Sequence, residues 1–455
     1  MARTRRDARP ADPTRHDTLL AALDARAGEI GMRGRAARPA AGLAPRRAGT
    51  RRAAPAAASP ATIPLTLVDD DGVLRWRHDT PATPATTKDT ATGDGRRRAS
   101  GRAAAPAAGR IVAVREFELL AADQVHAAIQ RLDSSFTPAR GLRRLARGRL
   151  VGCPPGPFAG RTLLVIHGTF SNADNVLEDL RATGHGRDLL ARAERHYDRV
   201  LFFDHPTLAQ GPLLNAVELN RLFAGSSHAV DVVCHSRGGL VARWWLETLA
   251  GGRRGPSRAV LVAAPIAGTS LAAGPRIRAG IDAMTNLGAA VAATGQVLGL
   301  AAPFLAAPVG LLRVLLSITG VAARVPIADA AMAAVPGLFA QSRIGNNSEL
   351  ALLRAGRTAG VDYFPVTADF EPDAAGWRFW RSFRRTTAAD LAADVVFDGP
   401  NDLVVDTDSM GDFGTATGIR PAGRLDFGTT ADIHHCGYFR DPRTSAFIAR
   451  SLRIP

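Results

Sequence analysis

The chain has 455 residues, of which 46% are hydrophobic and 22% are charged. This composition is close to average globular usage and excludes a wholly disordered protein. The 57 basic residues outnumber the 42 acidic ones, and every basic residue except Lys88 is arginine. The three cysteines, Cys153, Cys234 and Cys436, are far apart. They predict no disulfide framework and favour a reducing, cytoplasmic compartment.

Much of the basic surplus lies in residues 1–110, which hold 21 basic and 11 acidic groups. Ala, Pro and Arg dominate this segment, so it buries too little apolar surface to offset chain entropy and is predicted to be mostly disordered. Residues 62–78 differ, because apolar runs on both sides of Asp71-Gly72 predict a β-hairpin. The segment is interpreted as a solvated tail, with contact to an anionic membrane surface as the alternative. Specific nucleic-acid binding is not expected, since no aromatic residues are interleaved with the arginines.

Residues 111–159 are predicted to connect this segment to the main domain through a strand and a helix, the helix covering 121–145. From 160 to 455, short apolar runs bounded by turn residues alternate with patterns of helical periodicity. The apolar runs are Thr162–Ile166, Val200–Phe203, Val230–Cys234, Ala259–Ala263, Val361–Thr367 and Val395–Phe397. This order predicts an α/β fold with a doubly wound, mostly parallel sheet.

One stretch, Ala283–Leu312, carries no charged residue and is long enough to cross a bilayer. However, Ala and Gly dilute its hydrophobicity, and Pro303 and Pro308 interrupt it. It also lies between runs assigned to one sheet. A buried or amphipathic helical insertion is therefore predicted here in preference to a membrane span.

The strongest chemical signal is Asp231–Leu240, where a buried strand runs through a tight turn into a helix. A serine in such a turn, here Ser236, is held by a strained backbone that presents its hydroxyl at the C-terminal edge of the sheet. Small residues flank it because the two backbones pass close together; Gly238 is one, and Cys234 stands where glycine is usual. The backbone N–H of Arg237 is expected to face a developing oxyanion.

A second glycine turn, His167–Ser171, follows the apolar run that ends at Ile166. After His167-Gly168, the backbone N–H of either Thr169 or Phe170 is expected to complete an oxyanion hole. His167 itself is interpreted as a structural, hydrogen-bonded residue.

A serine nucleophile needs a base, and the base needs an orienting carboxylate. Two adjacent histidines near the C-terminus are the candidates for the base. His435 is favoured, because the small Cys436-Gly437 pair leaves room for its imidazole, and His434 is the alternative. A metal centre at these histidines is disfavoured, since adjacent residues rarely reach one tetrahedral ion and no second ligand pair occurs in the sequence. No metal and no cofactor are therefore expected.

The candidate acid is Asp402, the first carboxylate in the loop beyond the glycine that follows the run 395–397. Asp369, also beyond a strand end, is a rival. Asp406 and Asp408, slightly later in the same loop, are two more, with a turn or cap as their simpler interpretation.

These motifs together resemble the α/β-hydrolase superfamily, in its lipase-like serine esterase branch. That branch includes bacterial triacylglycerol lipases and hydrolases that deacylate glycolipid anchors. Five motifs carry the resemblance, in the order the family uses: His167–Phe170, Cys234–Gly239, Ala264–Thr269, Asn401–Val404 and His435. The resemblance covers residues 160–455. Cys234 departs from the usual G-x-S-x-G pattern, and the glycine that often follows the acid is missing after Asp402.

The resemblance implies that Ser236, His435 and Asp402 form a catalytic triad in family order. It also implies a helical lid at about 281–340, whose apolar face covers an acyl pocket and meets a lipid surface. The expected substrate is a carboxylic ester or lipid with an apolar acyl part. Two alternatives stay open: amide or thioester cleavage by the same groups, and a catalytically silent binding or scaffolding protein. The sequence specifies neither substrate-binding residues nor oligomeric state.

Overall fold

The structure is a computed structural model. It describes the following residues: 13–33, 62–78, 109–251, 256–273, 276–293, 307–317, 334–343, 345–356, 360–372, 375–383 and 396–455. The disorder predicted within residues 1–110 falls largely on 1–12, 34–61 and 79–108, which lie outside the described residues.

The described residues form twelve strands in two sheets. In chain order, β1 to β12 are Met32–Arg33, Thr62–Asp70, Val73–His78, Arg110–Glu118, Gly141–Ala146, Arg149–Cys153, Thr162–Ile166, Arg199–Asp204, Val230–His235, Ser257–Val262, Val361–Phe370 and Leu425–Thr430.

Twelve α-helices are described in the same ranges. In chain order, α1 to α12 are Pro13–Ala25, Ala27–Ile30, Val125–Phe136, Ala173–Arg181, Gly184–His196, Pro212–Leu222, Gly238–Trp244, Ile277–Ala293, 307–317, Pro336–Phe339, Ser348–Ala355 and Pro442–Leu452. A π-helical turn, Trp245–Leu249, extends α7. Short 3₁₀ turns cover Ala122–Gln124, Ser270–Ala272, Ala375–Ser382, Ser409–Gly411, Thr415–Thr417 and Tyr438–Arg440.

The main sheet has eight strands in the order β12-β11-β10-β9-β7-β8-β5-β6. The strands from β7 to β12 are parallel, and β5 and β6 add an antiparallel edge. Apolar side chains on one face pack against α4, α5 and α12, and those on the other face pack against α6 and α7. The central strands β7 to β10 are short and buried on both faces, as expected for a parallel sheet covered by helices. The predicted α/β fold with a doubly wound, mostly parallel sheet is confirmed.

Two of the predicted elements differ from the structure. Val396 and Phe397 lie outside the main sheet and donate their backbone N–H groups to Phe383 O; β12 supplies the outer strand instead. The helix predicted over 121–145 ends at Phe136, because Pro138 disfavours a helical backbone at the residue before it. Residues Gly141–Ala146 then form β5, which pairs with β8.

A second sheet of four antiparallel strands, in the order β1-β4-β2-β3, is built from the N-terminal part of the chain. Its apolar side chains, with Leu19 and Leu23 of α1, belong to the same core as Met284 and Leu287 of α8. Helices α8 to α10 are inserted between β10 and β11. The N-terminal sheet and this insertion therefore pack together.

The uncharged stretch is represented by parts of α8 and α9, and residues 294–306 between them lie outside the described residues. Among the helices that the structure describes, none has the length and hydropathy needed to cross a membrane.

Candidate active site

Ser236 lies in a sharp turn between β9 and α7. Its backbone has φ 53°, in the left-handed region that a residue with a side chain adopts only when its surroundings enforce it. The enforcing contacts are close. Ser236 N–H donates to Val262 O over 2.8 Å, and a Cβ added at Gly238 would lie 2.6 Å from Ile166 O. The turn thus needs glycine at 238 and places the Ser236 hydroxyl at the C-terminal edge of the sheet.

The position where a first glycine is usual in this turn holds Cys234. Its side chain is fully buried, and its Sγ lies 3.5 Å from Val260 O. The close contact between the start of α7 and the loop after β10 is made at Gly239 instead. A Cβ at this position would collide with Ala264 Cβ. A small thiol is therefore accommodated without displacing the turn.

The loop after β7 passes directly over the serine. A Cβ added at Gly168 would lie 2.7 Å from Ser236 Cβ. Phe170 also has a left-handed backbone, with φ 55°, and its N–H donates to Thr207 Oγ1 over 3.3 Å. Within the described residues, the backbone N–H groups of Thr169 and Arg237 donate to no protein acceptor. Two donors without a protein acceptor thus lie in the residue after the serine and in the loop that contacts it.

The Arg237 side chain points away from this loop and is fully buried. Its Nη2 donates to Gln210 O over 2.6 Å and to Asn215 Oδ1 over 2.7 Å. Burial lowers the pKa of the guanidinium to about 10. The two hydrogen bonds tie the residue after the serine to the start of α6, so only its backbone belongs to the site.

Asp402 is fully buried and is surrounded by donors. Its Oδ1 accepts the backbone N–H groups of Val404 and Val405 over 3.1 and 2.8 Å. Its Oδ2 lies 2.8 Å from His435 Nδ1 and accepts the Tyr438 hydroxyl over 3.1 Å. Because a carboxylate accepts, His435 Nδ1 carries the proton of the neutral ring and Nε2 is left as the acceptor.

Ser236 and His435 line the same cavity, although no hydrogen bond joins their side chains in this structure. His435 is held in place from behind by His235. The His235 Nε2 donates to His435 O over 2.9 Å, and the two ring centroids are 4.8 Å apart. Burial lowers the pKa of His235 to about 3, so this ring is a neutral support.

His434, the alternative base, also lines the cavity but belongs to an aromatic cluster. Its ring centroid lies 5.7 Å from that of Phe370 and 5.2 Å from that of Trp377. Its Nδ1 accepts the Cys436 backbone N–H over 3.3 Å. Burial lowers the pKa of His434 to about 4.

The three rival carboxylates hold other parts of the chain. Asp369 accepts a backbone N–H, over 3.1 Å, from the loop that carries Asp402. Asp406 accepts two hydrogen bonds from Ser270, over 2.8 and 2.9 Å. Asp408 forms an exposed ion pair with Arg343 at 3.0 Å. The carboxylate beside His435 is that of Asp402.

His167 is buried beneath the glycine loop and does not line the cavity. Its Nε2 accepts the His205 backbone N–H over 3.2 Å, and its Nδ1 lies 2.9 Å from Gly168 O. The His167 and His205 rings stack at 4.1 Å. Burial lowers the pKa of His167 to about 3, so the ring supports the loop as a neutral group.

The cavity is mostly apolar away from the serine. Helix α8 contributes one of its walls, and α4, the rest of the insertion and neighbouring loops contribute the others. The apolar lining residues are Phe170, Val176, Leu271, Ala272, Met284, Leu287, Val291, Leu338, Val404 and Phe439. Gln341, after α10, also lines it and donates to Thr169 Oγ1 over 3.1 Å.

The sequence did not indicate several residues whose side chains contact the site residues. Tyr438 follows His435 by three positions, and a 3₁₀ turn at that spacing is the signal that could have placed it beside Asp402. Thr207, Gln341 and His235 carry no comparable signal, because they come from segments whose approach depends on the whole fold. In the part of the chain that the structure describes, no group of three or more His, Cys, Asp or Glu side chains is arranged to hold a metal ion.

A protein family described as a domain of unknown function (DUF7379) matches residues 144–453. The chain belongs to this family. The DUF7379 region begins within β5 and contains every residue of the site, from the glycine loop to His435. The N-terminal sheet and α1 precede the DUF7379 region.

Among solved structures, this DUF7379 protein is similar to lipase 1 from Pelosinus fermentans, with 15% identity over 64% of this chain and 98% of that one and a TM-score of 0.41. It is similar to a thermophilic esterase from Thermogutta terrifontis, with 12% identity, 65% and 90% coverage and a TM-score of 0.32. It is also similar to a membrane phospholipase A described as a bacterial virulence factor, with 13% identity, 73% and 91% coverage and a TM-score of 0.35. No curated protein matches the DUF7379 chain in sequence.

Proposed function

We propose that this protein is a serine hydrolase that cleaves carboxylic esters with an apolar acyl part through an acyl-enzyme. One observation carries the proposal. A serine at a strained strand-to-helix turn shares a cavity with His435, whose Nδ1 lies 2.8 Å from the buried carboxylate of Asp402. This combination of nucleophile, base and orienting acid is the arrangement that acyl transfer requires.

In the proposed reaction, Ser236 Oγ attacks the ester carbonyl while His435 Nε2 accepts the hydroxyl proton. Asp402 holds the imidazole and stabilises the imidazolium that forms. The imidazolium then protonates the leaving alkoxide, so the alcohol departs and the acyl group stays on Ser236. A water molecule, deprotonated by His435, attacks the acyl-enzyme; the acid is released and the serine regains its proton.

The oxyanion of each tetrahedral intermediate is proposed to accept the backbone N–H groups of Arg237 and Thr169. Phe170 is the less suitable second donor, because its N–H is already engaged by Thr207 Oγ1. Fixed donors of this kind stabilise charge as it develops and need no reorganisation during the reaction.

The acyl part of the substrate is proposed to lie in the apolar cavity, against Met284, Leu287 and Val291 of α8. Burial of each methylene group of such a chain contributes about 0.8 kcal/mol. The segment 281–340 would then act as the lid over the acyl chain. The peripheral contacts with a membrane surface that the sequence suggests for this lid and for the basic tail remain predictions.

The test uses the full chain, a fluorophosphonate probe and a series of p-nitrophenyl esters of increasing acyl length. We expect covalent labelling and ester turnover, and we expect both to be lost in Ser236→Ala. Ser134→Ala is the matched control, because Ser134 is an exposed serine on α3 and its removal should change neither. A folded wild-type chain that takes no label and turns over no ester would favour a binding or scaffolding role. Faster turnover of amides or thioesters than of esters would reassign the substrate class.

A further inference from the structure

Strand β3 forms the edge of the N-terminal sheet, since among the described strands it pairs with β2 alone. The outward backbone groups of such an edge need partners when they are buried. At Leu74 the partner is a single side chain. Asn286 Oδ1 accepts the Leu74 N–H over 2.9 Å, and Asn286 Nδ2 donates to Leu74 O over 2.7 Å. The amide of Asn286 thus replaces a neighbouring strand.

The next outward position of β3 is satisfied in the same way. Asp282 Oδ1 accepts the Trp76 N–H over 2.9 Å, and Arg278 Nη2 donates to Trp76 O over 3.1 Å. The Trp76 indole N–H donates to Thr285 Oγ1 over 3.2 Å. All of these side chains belong to α8, which therefore binds the free edge of β3 along two successive positions.

The face of α8 that binds β3 is opposite the face that lines the cavity. With about 3.6 residues per turn, Asp282 and Asn286 lie one turn apart on the same side of the helix. The cavity-lining residues lie on the other side: Met284, Leu287, Gly288 and Val291. A rotation or shift of α8 against β3 would therefore change the shape of the cavity wall directly.

We propose that Asp282 and Asn286 are positioning residues, which fix α8 on the edge of the N-terminal sheet and thereby set the fit of the apolar acyl chain in the cavity. This inference rests on the proposed function for the identity of the ligand. The amide of Asn286 is fully buried, and its paired bonds to one backbone unit define both the depth and the rotation of the helix. The supporting sheet lies outside the DUF7379 match, whereas α8 lies inside it.

The test compares kcat and KM for p-nitrophenyl decanoate and p-nitrophenyl acetate. Asn286→Leu keeps the branched shape of the side chain and removes both hydrogen bonds to Leu74. We expect KM for the decanoate to rise about tenfold, because displacement of a substrate wall by about 1 Å has effects of at least this size. The kinetic constants for the acetate and the rate of fluorophosphonate labelling should stay within twofold.

Two controls separate positioning from stability. Ser317→Ala removes a buried hydroxyl that accepts the Leu120 N–H over 2.9 Å. It is expected to lower stability comparably without altering the KM ratio of the two esters, because it leaves α8 bound to β3. Asp282→Asn keeps the Oδ1 acceptor for Trp76 and should behave like the wild type, whereas Asp282→Leu should resemble Asn286→Leu.

Arg278→Met tests the same contact if the Leu variants do not fold. Arg278 is exposed, so its replacement should leave the fold intact. It should give a smaller rise in KM for the decanoate alone. An unchanged ratio of the two KM values in both Asn286→Leu and Arg278→Met would overturn the inference.

Binding of a fluorescent fatty acid to Ser236→Ala, with and without Asn286→Leu, measures the fit without turnover. Weaker binding in the double variant supports the inference even if no ester is hydrolysed, so it distinguishes failure of the inference from failure of the proposed hydrolase. Equal binding in the two proteins would contradict it.

Discussion

Tyr438 Oη and His435 Nδ1 meet at the same oxygen of Asp402, at 3.1 and 2.8 Å. With two backbone N–H groups on the other oxygen, the carboxylate is held in one rotation. The tyrosine thus orients the acid, and through it the imidazole.

Tyr438→Phe should lower kcat for p-nitrophenyl esters on the order of tenfold, because a hydrogen bond to a charged group contributes roughly 1.5–3 kcal/mol. KM should change little, since the ring remains. Tyr363→Phe is the matched control: its hydroxyl also donates to a buried carboxylate, that of Glu247, over 2.8 Å, but it does not line the cavity. Equal kcat values for the two variants, both folded, would show that Tyr438 does not orient Asp402.

The two neighbouring histidines should respond differently to replacement by asparagine. His435→Asn removes the proposed base and should reduce kcat at least about a thousandfold. His434→Asn keeps an acceptor near the position of Nδ1 for the Cys436 N–H, so activity should fall less than about tenfold. Steady-state kinetics on one ester decides between them. The opposite ranking would assign the base to His434.

The buried histidines predict a loss of stability in acid. Burial holds the pKa of His434 in the folded chain at about 4, below its ordinary value of 6.5. Between these values the unfolded chain binds the additional proton, so this histidine makes the free energy of unfolding fall as pH decreases from 6.5 toward 4. Between pH 6.5 and 5, the free energy of unfolding of His434→Asn should fall by about 1.5 kcal/mol less than that of the wild type.

Urea unfolding at several pH values measures this difference. His167 and His235 act with the same sign, but they are present in both proteins and cancel in the comparison. Replacement of the exposed His185 by asparagine is the control for removal of a histidine from the surface. A His434→Asn protein with the wild-type pH dependence would contradict the assignment.

Gly168→Ala should separate the glycine loop from the serine, because the added methyl group would lie 2.7 Å from Ser236 Cβ. A displacement of about 1 Å in the oxyanion loop predicts a fall in kcat/KM of about a hundredfold. Gly152→Ala is the control, since a Cβ there meets nothing within 4 Å. Full activity of Gly168→Ala would place the oxyanion donors elsewhere.

Local sequence pattern predicted the central strands and the turn at Ser236 well. The strand predicted at Thr162–Ile166 coincides with β7, because strands buried on both faces are continuous apolar runs bounded by turns. The strands at and next to the edges of the main sheet were predicted poorly. The apolar Leu142 and Leu145 of β5 are three apart, a helical spacing, and β12 is half exposed and polar. Strands at or next to the edge of a sheet bury only part of their surface, so their sequence carries a weaker pattern.

The candidate site was predictable where it rests on local turns and not where it rests on distant contacts. His435 and Asp402 each follow a recognisable loop, and the structure brings them together. The contact of Asn286 with Leu74 joins residues 212 positions apart, and no periodicity in either segment predicts it. The N-terminal sheet could therefore be expected only as a hairpin, with no indication of what it binds.

The shared core of α1, the N-terminal sheet and α8 means that the family boundary at residue 144 is not an independent folding boundary in this chain. A truncated protein that begins there would lack β3, so the Asp282 and Asn286 side chains of α8 would lose their backbone partners. It would also uncover the apolar side chains that now share a core with Leu19, Leu23 and Trp76. Such a fragment should self-associate more strongly than the intact chain. Kinetic study of the excised DUF7379 region of this chain would then report on aggregation instead of on the candidate site.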